Sequence, residues 1–194
     1  MKVAIIKYNA GNVLSVIHAL RRQGVEPILT DSPEEISASD KVIFPGVGEA
    51  STAMRYIKSK KLDILISRLG QPVLGICLGL QLMCSHSEEN DTQCMKIFQE
   101  KVRKFMPKLK VPHIGWNNIE GLRGALFKGL PASQHTYFVH SYYTELGDHT
   151  TATTDYIVPF SAGLQKENFY AVQFHPEKSG ETGAKILQNF LNLK

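Results

Sequence analysis

The stretch PVLGICLGLQLM, Pro72 to Met83, decides the fold. A proline opens it and a short apolar run follows. Cys77 then stands between Gly75 and Gly79, where strand-like residues give way to helical spacing. An apolar run of this length bounded by glycine reads as a buried strand. A strand that turns straight into a helix is the repeating unit of an α/β fold. Small residues two before and two after the turn permit the sharp bend of a nucleophile elbow, which lifts one side chain out at the carboxyl end of the sheet. Taken alone, the turn is equally compatible with a core cysteine that happens to lie between glycines.

The neighbouring segments extend the same alternation. Val3 to Ile6 is a β-branched run, expected as a first buried strand, and YNAGN breaks it. Val13, Val16, Ile17 and Leu20 follow helical spacing up to Gly24, a helix-ending glycine. Pro27 to Thr30 reads as a second strand and KVIFPGVGEA as a third that ends in a glycine turn. Residues 49–69 read as one helix, and Leu78 to Met83 begins the next. The second half, 96–176, reads mostly as short strands: KVRKF, HIGWNNI, TYFVHSYY, TATTDY, FSAGLQ and FYAVQFH. GETGAKILQNFLNL closes the chain as an amphipathic helix. The expected architecture is one domain over 1–194. It has three layers: a central, mostly parallel mixed sheet flanked by helices, with extra antiparallel strands in the second half.

Composition narrows the function. The 194 residues carry a net charge of +4 and 43% hydrophobic residues, ordinary for a globular protein. No apolar run approaches the roughly 18 residues that span a bilayer. The N-terminal apolar run is too short for a signal peptide. Three cysteines, Cys77, Cys84 and Cys94, are odd in number and lack CxxC pairing, which argues against a disulfide scaffold or structural zinc. A reducing cytosol, with no metal and no cofactor, is the expectation. The lysines gather in KSKK at 58–61 and KVRKFMPKLK at 101–110, a solvated surface rather than a nucleic-acid site.

A thiol nucleophile needs a base. YAVQFHPE, Tyr170 to Glu177, is an apolar strand that ends in His-Pro-Glu. Pro176 restricts His175 to an extended backbone. In that geometry residues i and i+2 share a side, so Glu177 is placed to orient the His175 ring. Pro45, Gly46, Val47 and Gly48 form a glycine turn at another strand's end, where a backbone N–H approaches a substrate oxygen closely. With the N–H of Leu78 it would make an oxyanion hole. Gln81, four residues after Cys77, shares its helix face.

These motifs together resemble the class I, triad-type glutamine amidotransferases over nearly the whole chain. GICLGLQLM resembles the family's nucleophile motif and QFHPE its His-Glu motif. Within the family, YNAGN, FPGVGEA, HIGWN (113–117), YFVHSYY and FHPEKS are most similar to the glutaminase subunits of imidazole glycerol phosphate synthase, an enzyme of histidine biosynthesis. The resemblance implies a Cys77–His175–Glu177 triad that hydrolyses L-glutamine through a thioester. It implies oxyanion donors at Val47 or Gly48 and Leu78, and a glutamine pocket built from Gly46, Gly48, Gln81, Glu89, Ser141 and Tyr142. It also implies a heterodimer with a separate (β/α)₈-barrel cyclase, which supplies the lyase activity and receives the ammonia. Asn12, Trp116, Tyr137 and Lys178 are the candidates for the docking face, with a core position for Trp116 left open. Weak glutaminase activity is expected without the cyclase, with the 46–48 peptide turned away until docking. Two departures stand out: lysine at position 7, and NDTQCMKIFQEKV where the family carries a glycine-rich stretch. The rival readings are a glutaminase subunit for anthranilate, vitamin B6 or guanine nucleotide synthesis, a cysteine hydrolase or peptidase, and a non-catalytic relative.

Overall fold

The computed structural model describes residues 1–8 and 13–194. The YNAGN break lies partly, and Asn12 wholly, outside the described residues. The first half alternates β1 (Val3–Ile6), α1 (Val13–Arg22), β2 (Ile28–Thr30), α2 (Pro33–Ser37), β3 (Lys41–Phe44), α3 (Ala50–Ser59), α4 (Leu62–Ile66), β4 (Val73–Ile76) and α5 (Leu78–Met83). The second half is β-rich: β5 (His86–Ser87), β6 (Thr92–Gln93), β7 (Lys101–Lys104), β8 (His113–Ile119), β9 (Gln134–His140), β10 (Tyr142–Thr144), β11 (Thr150–Tyr156), β12 (Val158–Lys166) and β13 (Phe169–Val172). Helix α6 (Gly180–Leu191) ends it.

Strands β2, β1, β3, β4 and β13 lie side by side and parallel. Antiparallel β12 and β10 extend the sheet toward β7, β5 and β6, and β11 pairs with β12. Strands β8 and β9 form a separate antiparallel ribbon. The parallel strands are buried on both faces, as their continuous apolar runs require. Alternate side chains serve opposite cores. Val73 joins the core under α3, α4 and α5, whereas Leu74 and Ile76 join the one under α1, α6 and the β8–β9 ribbon. Among the described residues no helix is long and apolar enough to cross a membrane, and all three cysteines are free.

The mixed, mostly parallel sheet between helices is the expected class, with local differences. The helix expected over 49–69 is two, because Lys61 adopts a left-handed φ of 56° that breaks the ladder. Helix α5 has only six residues, so Cys84 caps its end rather than lying along it. The strand expected to reach His175 stops at Val172. Helix α2, absent from the sequence reading, is started by Ser32, whose hydroxyl accepts from the Glu35 N–H, and by Pro33 at the first helical position. In the segment that departs from the family's glycines, Asn90, Asp91 and Lys96 take the left-handed conformations, with φ of 52°, 48° and 60°. Asn and Asp tolerate that region best among non-glycine residues.

Candidate active site

Strands β4 and β13 are neighbours, with Ile76 opposite Val172. Residues just beyond their carboxyl ends therefore meet. The Cys77 N–H extends the ladder by donating to the Val172 carbonyl at 2.8 Å. The backbone then reverses at Cys77, with φ 52° and ψ −106°. Such a conformation costs a non-glycine residue about 1–3 kcal/mol and persists only where the surroundings enforce it. They do so here. A side chain at Gly79 would strike the Phe44 carbonyl oxygen, and one at Gly75 would lie 2.6 Å from the Met83 sulfur. The two glycines thus allow the β4–α5 turn to press against β3.

His175 sits in a separate clamp. Its backbone N–H donates to the Tyr137 carbonyl at 2.9 Å. The Ser179 hydroxyl donates to the His175 carbonyl at 2.7 Å and accepts from the Tyr137 N–H at 3.0 Å. His175 is extended (φ −100°, ψ 95°), as the following proline dictates, but Pro176–Lys178 forms a 3₁₀ turn rather than a strand. That turn still brings the Glu177 carboxylate to 2.8 Å from Nδ1 of His175, both side chains being 2% exposed. Nε2 of His175 is buried and unpaired among the described residues. Burial opposes a charge on this ring. The negative sulfur of Cys77 and the Glu177 carboxylate outweigh it and raise the His175 pKa to about 10.

A cavity of about 280 Å³ opens over Cys77. Val47 and Gly48 form one side, Cys77, Leu78 and Gln81 the floor, and Val139 to Tyr142 the far wall, with Glu89 at the rim. Burial raises the pKa of Glu89, and its carboxylate accepts from the Ala50 N–H at 2.7 Å. Gly46 lies behind this wall, where a side chain would strike the Tyr8 hydroxyl. That hydroxyl donates to the Pro45 carbonyl. The Leu78 N–H donates to the Gly46 carbonyl at 3.3 Å, so the expected oxyanion donor is engaged by the chain itself.

The docking candidates cluster on the surface. Trp116 and Tyr137 are cross-strand partners in the β8–β9 ribbon, their rings 6.1 Å apart and edge to face. Lys178 holds its ammonium 5.7 Å from the Tyr137 ring centre. Trp116 is 57% exposed, so it is not a core residue.

Two buried groups escaped the sequence reading. His113 and His140 form a bonded imidazole pair, Nδ1 to Nε2 at 3.0 Å, and burial lowers their pKa values to about 4 and 3. Gln173 is fully buried beside Cys77. Its signal was an amide two residues before the histidine in an otherwise apolar VQF.

The glutamine amidotransferase class-I family model matches residues 4–193. Imidazole glycerol phosphate synthase subunit HisH of Bacteroides fragilis (strain YCH46) is 57% identical over 196 residues, covering all of both chains. The same-named subunit of Escherichia coli (strain K12) is 43% identical with equal coverage. The structure of PurLQS from Thermotoga maritima superposes with a TM-score of 0.75 at 18% identity, covering 98% of this chain and 97% of that one, a likeness of fold. The family pattern thus runs through the same strands, turns and last helix that assemble the cysteine, the histidine and the cavity, and this chain belongs to the class I glutamine amidotransferases.

Proposed function

We infer that this chain is the glutaminase subunit of an imidazole glycerol phosphate synthase, working in histidine biosynthesis. The observation that carries the reading is full-length identity of 42–57% to relatives of that name. The rival amidotransferase readings rest on fold likeness at 18–22% identity alone.

Glutamine lies in the cavity with its side-chain amide over Cys77. The thiolate attacks the carbonyl carbon. His175, with its pKa near 10, already holds a proton at neutral pH, so it enters as an acid and delivers that proton to the departing ammonia. Glu177 keeps Nδ1 protonated and stabilises the imidazolium. The glutamyl thioester is then hydrolysed by water, His175 now acting as base, and glutamate leaves. Glu89 supports the reading as a carboxylate at the rim able to meet an ammonium group, and Gln81, Ser141 and Tyr142 complete the pocket.

The oxyanion hole supports a gated enzyme. The Leu78 N–H is shared with Gly46, and Gly48 has a φ of 136°, a conformation open to glycine. A change in the Gly46–Val47–Gly48 peptides would free or supply the donors. The subunit name of the relatives implies a partner, and the Trp116–Tyr137–Lys178 cluster has the aromatic and cationic character of an interface anchor. A (β/α)₈-barrel cyclase docked there in a heterodimer would receive ammonia sheltered from water, which otherwise protonates it. It would convert a phosphoribulosyl intermediate into imidazole glycerol phosphate and an aminoimidazole carboxamide ribotide.

Reconstitution with a candidate cyclase tests this. Cys77→Ala removes glutamine-driven synthesis and leaves synthesis from ammonium salt intact, and the isolated chain hydrolyses glutamine slowly. Glutamine hydrolysis by the variant overturns the nucleophile. Full activity in the isolated chain overturns the gate.

A further inference from the structure

Gln173 follows β13 with no exposed surface. A fully buried carboxamide must place two donors and an acceptor. Here one N–H goes to the reacting atom: Nε2 of Gln173 donates to the Cys77 sulfur at 3.6 Å. Its oxygen is fixed by Gln81, whose Nε2 donates to Oε1 of Gln173 at 3.0 Å. The same Gln81 nitrogen donates to the Tyr142 carbonyl at 3.0 Å. That carbonyl also accepts from Nδ1 of His140 at 2.7 Å.

The direction of each bond is therefore settled by the next. Nδ1 of His140 must be its N–H, since a carbonyl only accepts. Both Gln81 hydrogens are committed, so its nitrogen cannot turn away. Gln173 must then offer oxygen to Gln81 and nitrogen to the sulfur. The reverse rotamer would set oxygen against sulfur and two NH₂ groups against each other.

We propose that Gln173 is a catalytic residue of the glutaminase site. It donates a hydrogen bond to the Cys77 sulfur from the side away from solvent. Through its oxygen it locks Gln81 so that only Oε1 of Gln81 remains for the substrate. A thiol is a weak acceptor and a thiolate a strong one, so the bond strengthens as the sulfur ionises. It holds the sulfur while His175 is occupied with the leaving ammonia. Locking Gln81 selects a substrate that presents a donor, as the ammonium and amide groups of glutamine do. This rests on the triad reading above.

Two variants separate the halves of the role. Gln173→Glu keeps an oxygen for Gln81 and removes the donor to sulfur. Gln173→Met removes both while keeping the length. The readouts are the pH profile of Cys77 alkylation by iodoacetamide in the full chain, and kcat and KM for glutamine in the chain with its cyclase. His175→Ala runs in parallel, and thermal melts confirm folding. Both Gln173 variants are expected to alkylate about tenfold more slowly at pH 7, with the profile displaced to higher pH. Gln173→Met alone is expected to raise KM as well, by about tenfold. A folded Gln173→Met with a wild-type alkylation profile and KM overturns the proposal. A profile that moves with His175→Ala but not with Gln173→Met puts the failure on Gln173. A profile unmoved by His175→Ala puts it on the triad, and the proposal falls with it.

Discussion

Three residues make the chemistry, and each is held by something other than itself. Cys77 is held by a strained turn that two glycines permit, His175 by the Tyr137–Ser179 clamp, and Glu177 by a 3₁₀ turn that the preceding proline starts. The Glu177 carboxylate is buried with one imidazole contact, so its charge is spent on His175. A glutamine in its place would keep the shape and remove the charge that supports the imidazolium. Glu177→Gln is expected to lower glutamine hydrolysis at least about 100-fold while leaving ammonium-driven synthesis by the reconstituted complex unchanged. A loss of less than about threefold would show that the carboxylate is not the orienting group.

The elements meet where side chains are missing. Gly183 in α6 lies so close to the His-Pro-Glu turn that a side chain there would strike the Pro176 carbonyl. The last helix thus sets the depth of the turn that carries His175. Gly183→Ala is expected to destabilise the protein by about 1–3 kcal/mol, since the added methyl meets backbone that cannot yield cheaply. It should also slow Cys77 alkylation by displacing His175. Urea denaturation and alkylation kinetics on one preparation would check both, and an unaltered pair would show that α6 does not set the turn. The α5 elbow was legible from GICLG because glycine spacing is local. The division of 49–69 was not, because nothing in KSKKLDIL marks Lys61 for a left-handed conformation.

Across the whole molecule, the buried histidines set the response to pH. His113 and His140 are lowered to about 4 and 3 by burial. Below the unfolded value of about 6.5 the unfolded chain binds their protons and the folded chain does not, so stability falls as pH drops from about 6.5 toward 4. His175 acts at the other end. Its raised pKa contributes stability in full below about 6.5, and that contribution is lost as pH rises through about 10. Urea midpoints should therefore be highest near neutrality and fall on both sides. A midpoint as high at pH 5 as at pH 7 would show that the His113–His140 pair is not buried neutral.

The sequence by itself determined the alternation of strand and helix, the elbow at Cys77 and the His-Pro-Glu turn. Each of these is written in residues that are close together and whose backbone preferences are local. Tertiary structure decided which strands lie side by side. It placed β13, the last strand, against β4, and that adjacency brings His175 to Cys77 across nearly a hundred residues. It also decided what the polar core does. Gln173, Gln81, His140 and His113 carry no periodic signal, since the meaning of a buried amide or imidazole lies in its partners, and those come from four separate segments of the chain.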